Sequence, residues 1–141
     1  MKKENNKNEK CIFCEIVKGN IPSTDVYEDR KVKAFLDINP VTHGHTLVIS
    51  KEHFPTMTDL PESLNAHCFN VAKHLMKKIK KSCNADFVTL AVVGVDVNHF
   101  HIHLIPRKYS DKIPVFWPTK KYRQNDMEKT AEKIRSEISK K

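Results

Sequence analysis

The chain has 141 residues and a formal net charge of +8, from 25 Lys and Arg against 17 Asp and Glu. This length fits one domain with a core of ordinary size and is too short for two. Its longest apolar runs are only a few residues, which predicts neither a transmembrane helix nor a secretory signal. We therefore expect a soluble, cytoplasmic protein that does not bind a membrane.

The positive charge lies at the two ends of the chain. Residues 1–10 carry four Lys against two Glu, residues 107–141 carry eleven Lys and Arg against five acids, and residues 11–106 carry ten of each sign. A solvated tail and a solvated helix face account for this distribution. Attraction of nucleic acid is the alternative, but no alternation of basic and stacking aromatic residues supports it, so nucleic acid is not an expected partner.

In chain order, the polar residues 1–10 predict a disordered tail, and a short helix is predicted over 12–18. Strands are predicted where β-branched and aromatic residues cluster between turn signals. The predicted strands are Val26–Glu28, Val32–Leu36, His45–Ser50, Phe87–Val93 and Val97–Ile105.

Two amphipathic helices complete the pattern. Apolar residues recur at helical spacing from Leu64 to Ile79, with Pro61 suited to a first turn and Cys68 on the apolar side. A second helix is predicted at about Asp126–Ser139, with one apolar stripe of Met127, Ala131, Ile134 and Ile138. The order β-β-β-α-β-β-α predicts an α+β fold, with a roughly five-stranded antiparallel sheet backed by helices on one face.

Three histidines alternate with apolar residues in the segment His99–Ile105. On a strand they would stand in a row about 6.5–7 Å apart on one face, while Phe100, Ile102 and Leu104 face a core. A neutral imidazole is a good nucleophile toward phosphorus, and neighbouring histidines can orient it and donate hydrogen bonds to phosphate oxygens. A metal-binding tract is the alternative interpretation of such spacing.

The histidines and several other segments resemble the histidine triad (HIT) family of nucleotide hydrolases and transferases, whose pattern is His-φ-His-φ-His-φ-φ with φ hydrophobic. The other segments that match in order and spacing are Cys11–Ile16, Ile21–Ser23, Val26–Asp29, Ala34–Pro40 and Gly44–His53. The resemblance covers about residues 11–107. It implies the HIT fold, a homodimer and a purine nucleotide substrate, with 11–141 as one domain and 108–141 as its basic C-terminal extension.

The resemblance also implies the roles of the histidines. His101 is the nucleophile that forms a covalent nucleotidyl-histidine with the α-phosphorus of a nucleoside phosphoramidate or a (di)nucleoside polyphosphate. His103 orients and polarises the site, and His45 matches an upstream active-site histidine. Because His45, Leu47 and Ile49 share one face of a predicted strand, His45 is expected beside the triad.

The nucleoside site is carried over from the same resemblance. It implies that Asp37 accepts hydrogen bonds from ribose hydroxyls, next to an apolar contact at Ile38. The residues that match those around the base are Ile12, Phe13, Ile16 and Phe35. Plain core packing is the alternative for these four, and an exposed turn acid is the alternative for Asp37.

One loop departs from the family pattern. Val95 stands where Gln is common and Asp96 where Ser or Thr is common. A carboxylate beside an anionic phosphate is repulsive, although it can also protonate a leaving group or narrow the substrate range. A non-enzymatic, zinc-stabilised nucleotide-binding or interaction module is therefore the alternative to a hydrolase.

The Cys11-x-x-Cys14 pair raises the question of a metal. In an intracellular protein this spacing is more typical of metal binding or redox chemistry than of a disulfide. Two thiolates do not complete a tetrahedral site. The resemblance implies a structural zinc held by Cys11, Cys14, His53 and His99, which leaves His101 free as the nucleophile. A reduced pair that covers apolar surface is the alternative.

Overall fold

The structure is a computed structural model and describes residues 10–140. The predicted disordered tail therefore lies outside the described residues, apart from an exposed Lys10. The described chain divides into two compact units with the boundary between Asp111 and Lys112. The assignment of residues 11–141 to one domain stays a prediction.

The first unit is built around a five-stranded antiparallel sheet with the order β1-β2-β3-β5-β4. The helix α1 (Ile12–Val17) precedes the sheet, and α2 (Glu62–Ser82) connects its third and fourth strands. The strands are β1 (Asp25–Glu28), β2 (Val32–Leu36), β3 (Thr46–Ser50), β4 (Phe87–Ala91) and β5 (His101–Arg107). The predicted α+β class and the five-stranded antiparallel sheet are confirmed.

One face of the sheet forms the main core with α2. Alternate residues of a strand point to opposite sides, so Phe100, Ile102 and Leu104 lie together on this face, as predicted. They are at most 2% exposed. Cys68 of α2 is fully buried in the same cluster, which confirms its prediction as a core residue.

The opposite face carries a second apolar cluster, and α1 packs on it. Phe13 and Ile16 of α1 contact Phe35, Leu47 and Ile49 of the sheet. The prediction that helices back only one face is therefore wrong. Because α1 has only six residues, its apolar periodicity is too short to predict on which face of the sheet it packs.

Five strand ends differ from the predictions by one to four residues, and the starts of β3 and β5 are the two that concern histidines. Strand β5 begins at His101 and not at Val97, because the Phe100 N–H donates to the Phe54 carbonyl rather than to a neighbouring strand. His99 thus precedes the strand, and the prediction of three histidines in one strand row is wrong for the first of them. Strand β3 begins at Thr46, immediately after His45.

The second unit contains one helix, α3 (Asp126–Ser139), with the predicted bounds. Met127, Ile134 and Ile138 of its apolar stripe are exposed. Within residues 10–140, no helix has the length and hydropathy needed to cross a membrane.

Gly44 fixes the approach of the chain to His45. Its φ of +99° is unfavourable for residues with a side chain. A Cβ at this position would lie 2.6 Å from Cys83 Sγ and 3.2 Å from Pro106 Cγ, so the turn is also tightly packed. The neighbouring Thr42 hydroxyl donates to the Pro106 carbonyl at 2.6 Å and ties the same turn to β5.

We predict that Gly44→Ala lowers the free energy of unfolding by about 1–3 kcal/mol from backbone strain, with a further loss from the clash. Gly19→Ala is the matched control, because Gly19 also has a positive φ (+81°) but a Cβ there would meet no atom within 4 Å. Urea unfolding should show a larger loss for Gly44→Ala, and Cys83→Ala in the same chain should recover part of it. Equal losses for the two glycine variants would contradict the packing argument.

Candidate active site

His101 lies on the α1 side of the sheet, and one of its two ring nitrogens is hydrogen-bonded to the main chain. It lies opposite Ile49 in the β3–β5 register and is 3% exposed, and its ring packs edge-on to Phe13 with centroids 5.1 Å apart. Its Nδ1 lies 2.7 Å from the His99 carbonyl oxygen. A carbonyl only accepts, so Nδ1 carries the proton and, in the neutral ring, Nε2 keeps its lone pair.

His45 and His103 form a hydrogen-bonded pair of defined polarity. The Val41 N–H donates to His45 Nδ1 at 3.1 Å, which places the proton of neutral His45 on Nε2. That Nε2 lies 2.9 Å from His103 Nδ1 and donates to it. The proton of neutral His103 is therefore on Nε2, the tautomer opposite to that of His101.

Burial keeps both members of this pair neutral. It lowers the pKa of His45, with partial opposition from the Asp37 carboxylate. Burial also lowers the pKa of His103, and His101 and His45 lower it further, while Asp37 and Asp96 oppose the shift. Neutral rings are the form that the hydrogen-bond polarity requires.

Asp37, His45 and His103 also lie close enough together to be considered as metal ligands. The Asp37 carboxylate is 3.8 Å from His45 Nε2. A metal on His45 Nε2 would leave the proton on Nδ1, where it would face the Val41 N–H. The hydrogen-bonded arrangement avoids this donor–donor conflict, so the geometry favours a polarised histidine pair here.

A second group brings together Cys11, Cys14, His53 and His99, whose ligand atoms all lie within 4.8 Å of one another. The His99 Nε2 donates to the Ser50 carbonyl at 2.7 Å, which turns the Nδ1 lone pair toward the sulfurs. Burial, together with the neighbouring Cys11, raises the pKa of Cys14 to about 11. A cation is thus needed to hold the Cys14 sulfur as a thiolate at neutral pH.

The distances within this group can be compared with those of a tetrahedral site. Bonds of about 2.3 Å to sulfur and 2.0–2.1 Å to nitrogen place sulfur and nitrogen about 3.6 Å apart and two nitrogens about 3.3 Å apart. Three of the four separations from sulfur to nitrogen are 3.3–3.6 Å, and the two Nδ1 atoms are 3.1 Å apart. The four residues therefore lie close to the geometry of a four-coordinate metal site.

Comparison with known proteins agrees with this geometry. Residues 18–110 match the HIT domain family. The chain belongs to the HIT family. A Streptococcus mutans structure, SMU.412c, is 34% identical with a TM-score of 0.83 and covers 97% of this chain and 88% of its own.

Two other relatives bear on the chemistry of this HIT protein. The adenosine 5'-monophosphoramidase HNT1 of Candida albicans is 33% identical over 140 residues, which is 92% of each chain. A zinc-bound histidine triad protein from Mycobacterium smegmatis is 34% identical with a TM-score of 0.71, and covers 78% of this chain and 84% of its own.

The predicted nucleoside-binding residues divide by exposure. Phe13, Ile16 and Phe35 are buried in the cluster around α1, whereas Ile12 is 44% exposed and Ile38 is 90% exposed. The carboxylate of Asp37 is partly buried and accepts the Asn39 N–H at 2.8 Å. Phe13, Ile16 and Phe35 thus pack in the core, whereas the side chains of Ile12 and Ile38 are accessible to a ligand. The role of all of these residues, Asp37 included, in nucleoside binding stays a prediction.

The loop that departs from the HIT pattern is solvent-facing. Residues 92–96 are exposed, and Gly94 turns the loop with a φ of +74°. The Asp96 carboxylate acts on His103, since its charge opposes the lowering of the His103 pKa. Asp96 therefore contributes negative charge to the surroundings of His103.

Three backbone groups of the site could not be identified from the sequence. The Val41 N–H, the Ser50 carbonyl and the His99 carbonyl each fix one imidazole nitrogen. Every residue supplies such groups, so residue type carries no signal for them. The sequence also indicates no role for Cys83, whereas its packing against Gly44 provides one.

Proposed function

We propose that this HIT protein is a nucleotide hydrolase that cleaves at the α-phosphate of purine nucleoside phosphoramidates or (di)nucleoside polyphosphates. The observation that carries the proposal is the hydrogen bonding of His101 and His103, which implies opposite tautomers for two rings whose centroids are 4.9 Å apart. One ring offers a lone pair at Nε2, and the other offers an N–H at Nε2. The activity named for the Candida relative supports the phosphoramidate class.

The chemistry follows from these two nitrogens. His101 Nε2 attacks the α-phosphorus and forms a nucleotidyl-imidazolium, whose Nδ1–H still donates to the His99 carbonyl. The leaving group departs with the electron pair of its bond to phosphorus and is protonated by solvent. His103 Nε2–H donates to a phosphate oxygen as charge develops there. Water then attacks the phosphorus, loses a proton, and releases the nucleotide and neutral His101.

The nucleoside would lie between the exposed apolar side chains at the site. Ile12 and Ile38 offer free surface to a base, and Asp37 offers a carboxylate oxygen to ribose hydroxyls. Phe13 supports His101 from the protein side, where its ring contacts the imidazole edge-on. His45 acts as a positioning residue, because it reaches the site through its hydrogen bond to His103.

We also propose that the second group, Cys11, Cys14, His53 and His99, holds a structural zinc; we call these four residues the metal group. The donor set of two thiols and two imidazoles suits zinc, and the distances fit a tetrahedron. The zinc-bound Mycobacterium relative supports this assignment. Bound zinc would cross-link α1 to the segments that follow β3 and precede β5, and Cys11, Cys14, His53 and His99 would hold it.

A non-enzymatic nucleotide-binding module is the second candidate function, and the exposed Asp96 and Val95 favour it. Their loop offers a negative charge and an apolar side chain where the family pattern has neutral polar ones. Mass spectrometry of the protein after incubation with adenosine phosphoramidate distinguishes the two functions. The hydrolase releases the nucleotide product, whereas the module retains the unchanged ligand.

We predict that His101→Ala abolishes hydrolysis of adenosine phosphoramidate, because no other imidazole at the site presents a free Nε2 lone pair. Binding of the nucleotide should stay within about tenfold of wild type, or about 1.4 kcal/mol. His67→Ala is the control, since His67 lies on α2 and contacts Asp29 outside the site. Product formation by the variant at the wild-type rate would contradict the assignment of the nucleophile.

For the zinc site, we predict about one zinc per chain in the purified protein. Cys14→Ser should lower the metal content and reduce stability by about 3–4 kcal/mol when free zinc exceeds its dissociation constant by 100- to 1,000-fold. Metal analysis and thermal unfolding measure both effects. Cys83→Ser is the matched control outside the group. A protein without zinc whose stability equals that of the zinc-loaded form would refute a structural metal.

Asp96 gives a test of phosphate repulsion. Asp96→Ser and Asp96→Asn both remove the negative charge. Each should therefore raise kcat/KM for phosphoramidates by about two- to fivefold, which corresponds to at most about 1 kcal/mol of transition-state stabilisation, the size expected for an exposed charge pair. If Asp96 is instead a general acid for another leaving group, both changes should cost about 10²–10⁴-fold on that substrate. Changes within twofold across phosphoramidates and polyphosphates would show that Asp96 lies outside the site.

A further inference from the structure

The order of the strands places two different surfaces on either side of the histidines. In the sheet, β2 and β4 lie on opposite sides of β5. Strand β2 leads into Asp37 and Ile38, the proposed nucleoside contacts, whereas β4 leads into residues 92–98, which we call the 92–98 loop. Ala91, the last residue of β4, pairs directly with His103. With the nucleoside on the β2 side, the surface left for the leaving group is the 92–98 loop.

The 92–98 loop returns to the face of the sheet that carries the catalytic candidates. Val97 packs against the apolar cluster around α1, which is the cluster that also covers His101 through Phe13. Asp96 immediately precedes Val97, and its charge acts on His103, where it opposes the lowering of the pKa. The Asp96 carboxylate therefore lies within electrostatic range of a group bound at His103.

The loop combines one negative charge with exposed apolar side chains. Val93 and Val95 are 54% and 76% exposed, and residues 92–98 contain Asp96 but no Lys or Arg. The further phosphates of a polyphosphate would be repelled by this surface. An alkyl chain that ends in an ammonium group matches both features, because its methylene groups can cover the valines and its charge can approach the carboxylate.

We propose that the 92–98 loop selects nucleoside phosphoramidates whose leaving group is an alkylamine with a second, charged ammonium group. Val93 and Val95 contact the alkyl chain, and Asp96 attracts the ammonium. This inference rests on the proposed hydrolase function and specifies its substrate class. In the overall reaction the P–N bond breaks, its electron pair leaves with nitrogen, and water supplies a hydroxyl group to phosphorus and a proton to nitrogen. The products are a nucleoside monophosphate and a diamine.

Binding to the His101→Ala variant tests this selection separately from turnover. The ligands are three adenosine 5'-phosphoramidates of equal chain length, made from 1,5-diaminopentane, n-hexylamine and 6-aminohexanoate. In calorimetry the ammonium ligand should bind about two- to fivefold more tightly than the neutral one, and the carboxylate ligand should bind most weakly. Asp96→Asn in the same background should remove the preference for the ammonium. Salt at about 1 M should also reduce it, because the Debye length falls to about 3 Å.

Turnover by the chain with His101 intact gives a second measurement. The ratio of kcat/KM for the ammonium substrate to that for the n-hexylamine substrate should be about two- to fivefold, and Asp96→Asn should bring it to about one. The ratio isolates the effect on the ammonium, since the repulsion between Asp96 and the phosphate is common to both substrates. Glu62→Gln is the matched control, because it removes an exposed carboxylate from the first turn of α2, on the opposite face of the sheet.

The outcomes separate this inference from the function on which it rests. Equal binding of the three ligands, or a preference for the ammonium that Asp96→Asn leaves unchanged, would overturn the selection by the loop while the hydrolase stands. An equal loss of turnover on both substrates in Asp96→Asn would also overturn it, because that result indicates a general acid. Absence of hydrolysis of every phosphoramidate would contradict the proposed function, and the binding series would still decide the charge selection.

Discussion

The chemistry of this site depends on main-chain groups that each fix one imidazole nitrogen. The His99 carbonyl holds the proton of His101 on Nδ1, and the Val41 N–H directs the proton of His45 to Nε2. Because His45 then donates to His103, the Val41 N–H determines the tautomer of His103 as well. Side chains of one type thus acquire different hydrogen-bonding properties, and the folded backbone decides which ring presents a lone pair at Nε2 and which presents an N–H there.

His99 connects the Cys11, Cys14, His53 and His99 group to His101. Its side chain faces Cys11 and Cys14, while its carbonyl accepts the Nδ1–H of His101. A shift of His99 therefore moves the hydrogen bond that orients His101. The Ser50 carbonyl holds the other side of the His99 ring, and His99 itself is fully buried. A metal bound by this group would in this way support the orientation of His101 as well as the stability of the fold.

Much of the fold is predictable because periodicity records burial. The alternation through Phe100, Ile102 and Leu104 predicts a strand with one core face, and the spacing of apolar residues in α2 predicts a long helix on that core. The errors arise where backbone hydrogen bonds, and not side-chain burial, determine where a strand begins. The sequence pattern places His99 in a strand that begins at Val97, but the Phe100 N–H donates to the Phe54 carbonyl, and the strand begins four residues later, at His101. Residue type could not show that α1 covers the second face.

The candidate site could likewise be predicted from the sequence only in part. The resemblance to the HIT family assigns the four metal-group residues, and they lie together; His45 also lies beside His103, as predicted. The sequence could not show the tautomers, because these depend on which carbonyl or N–H each ring meets. It also could not separate the buried Phe13 from the exposed Ile38 as base contacts, since both are apolar residues in matching segments.

The central claim, that the backbone sets opposite tautomers at His101 and His103, is tested most directly by NMR. Two-bond 1H–15N correlations of the histidine rings in labelled, nucleotide-free protein at neutral pH distinguish a proton on Nδ1 from one on Nε2. The account predicts Nδ1–H for His101 and Nε2–H for His45, His99 and His103. A proton on Nε2 of His101, or on Nδ1 of His103, would contradict it.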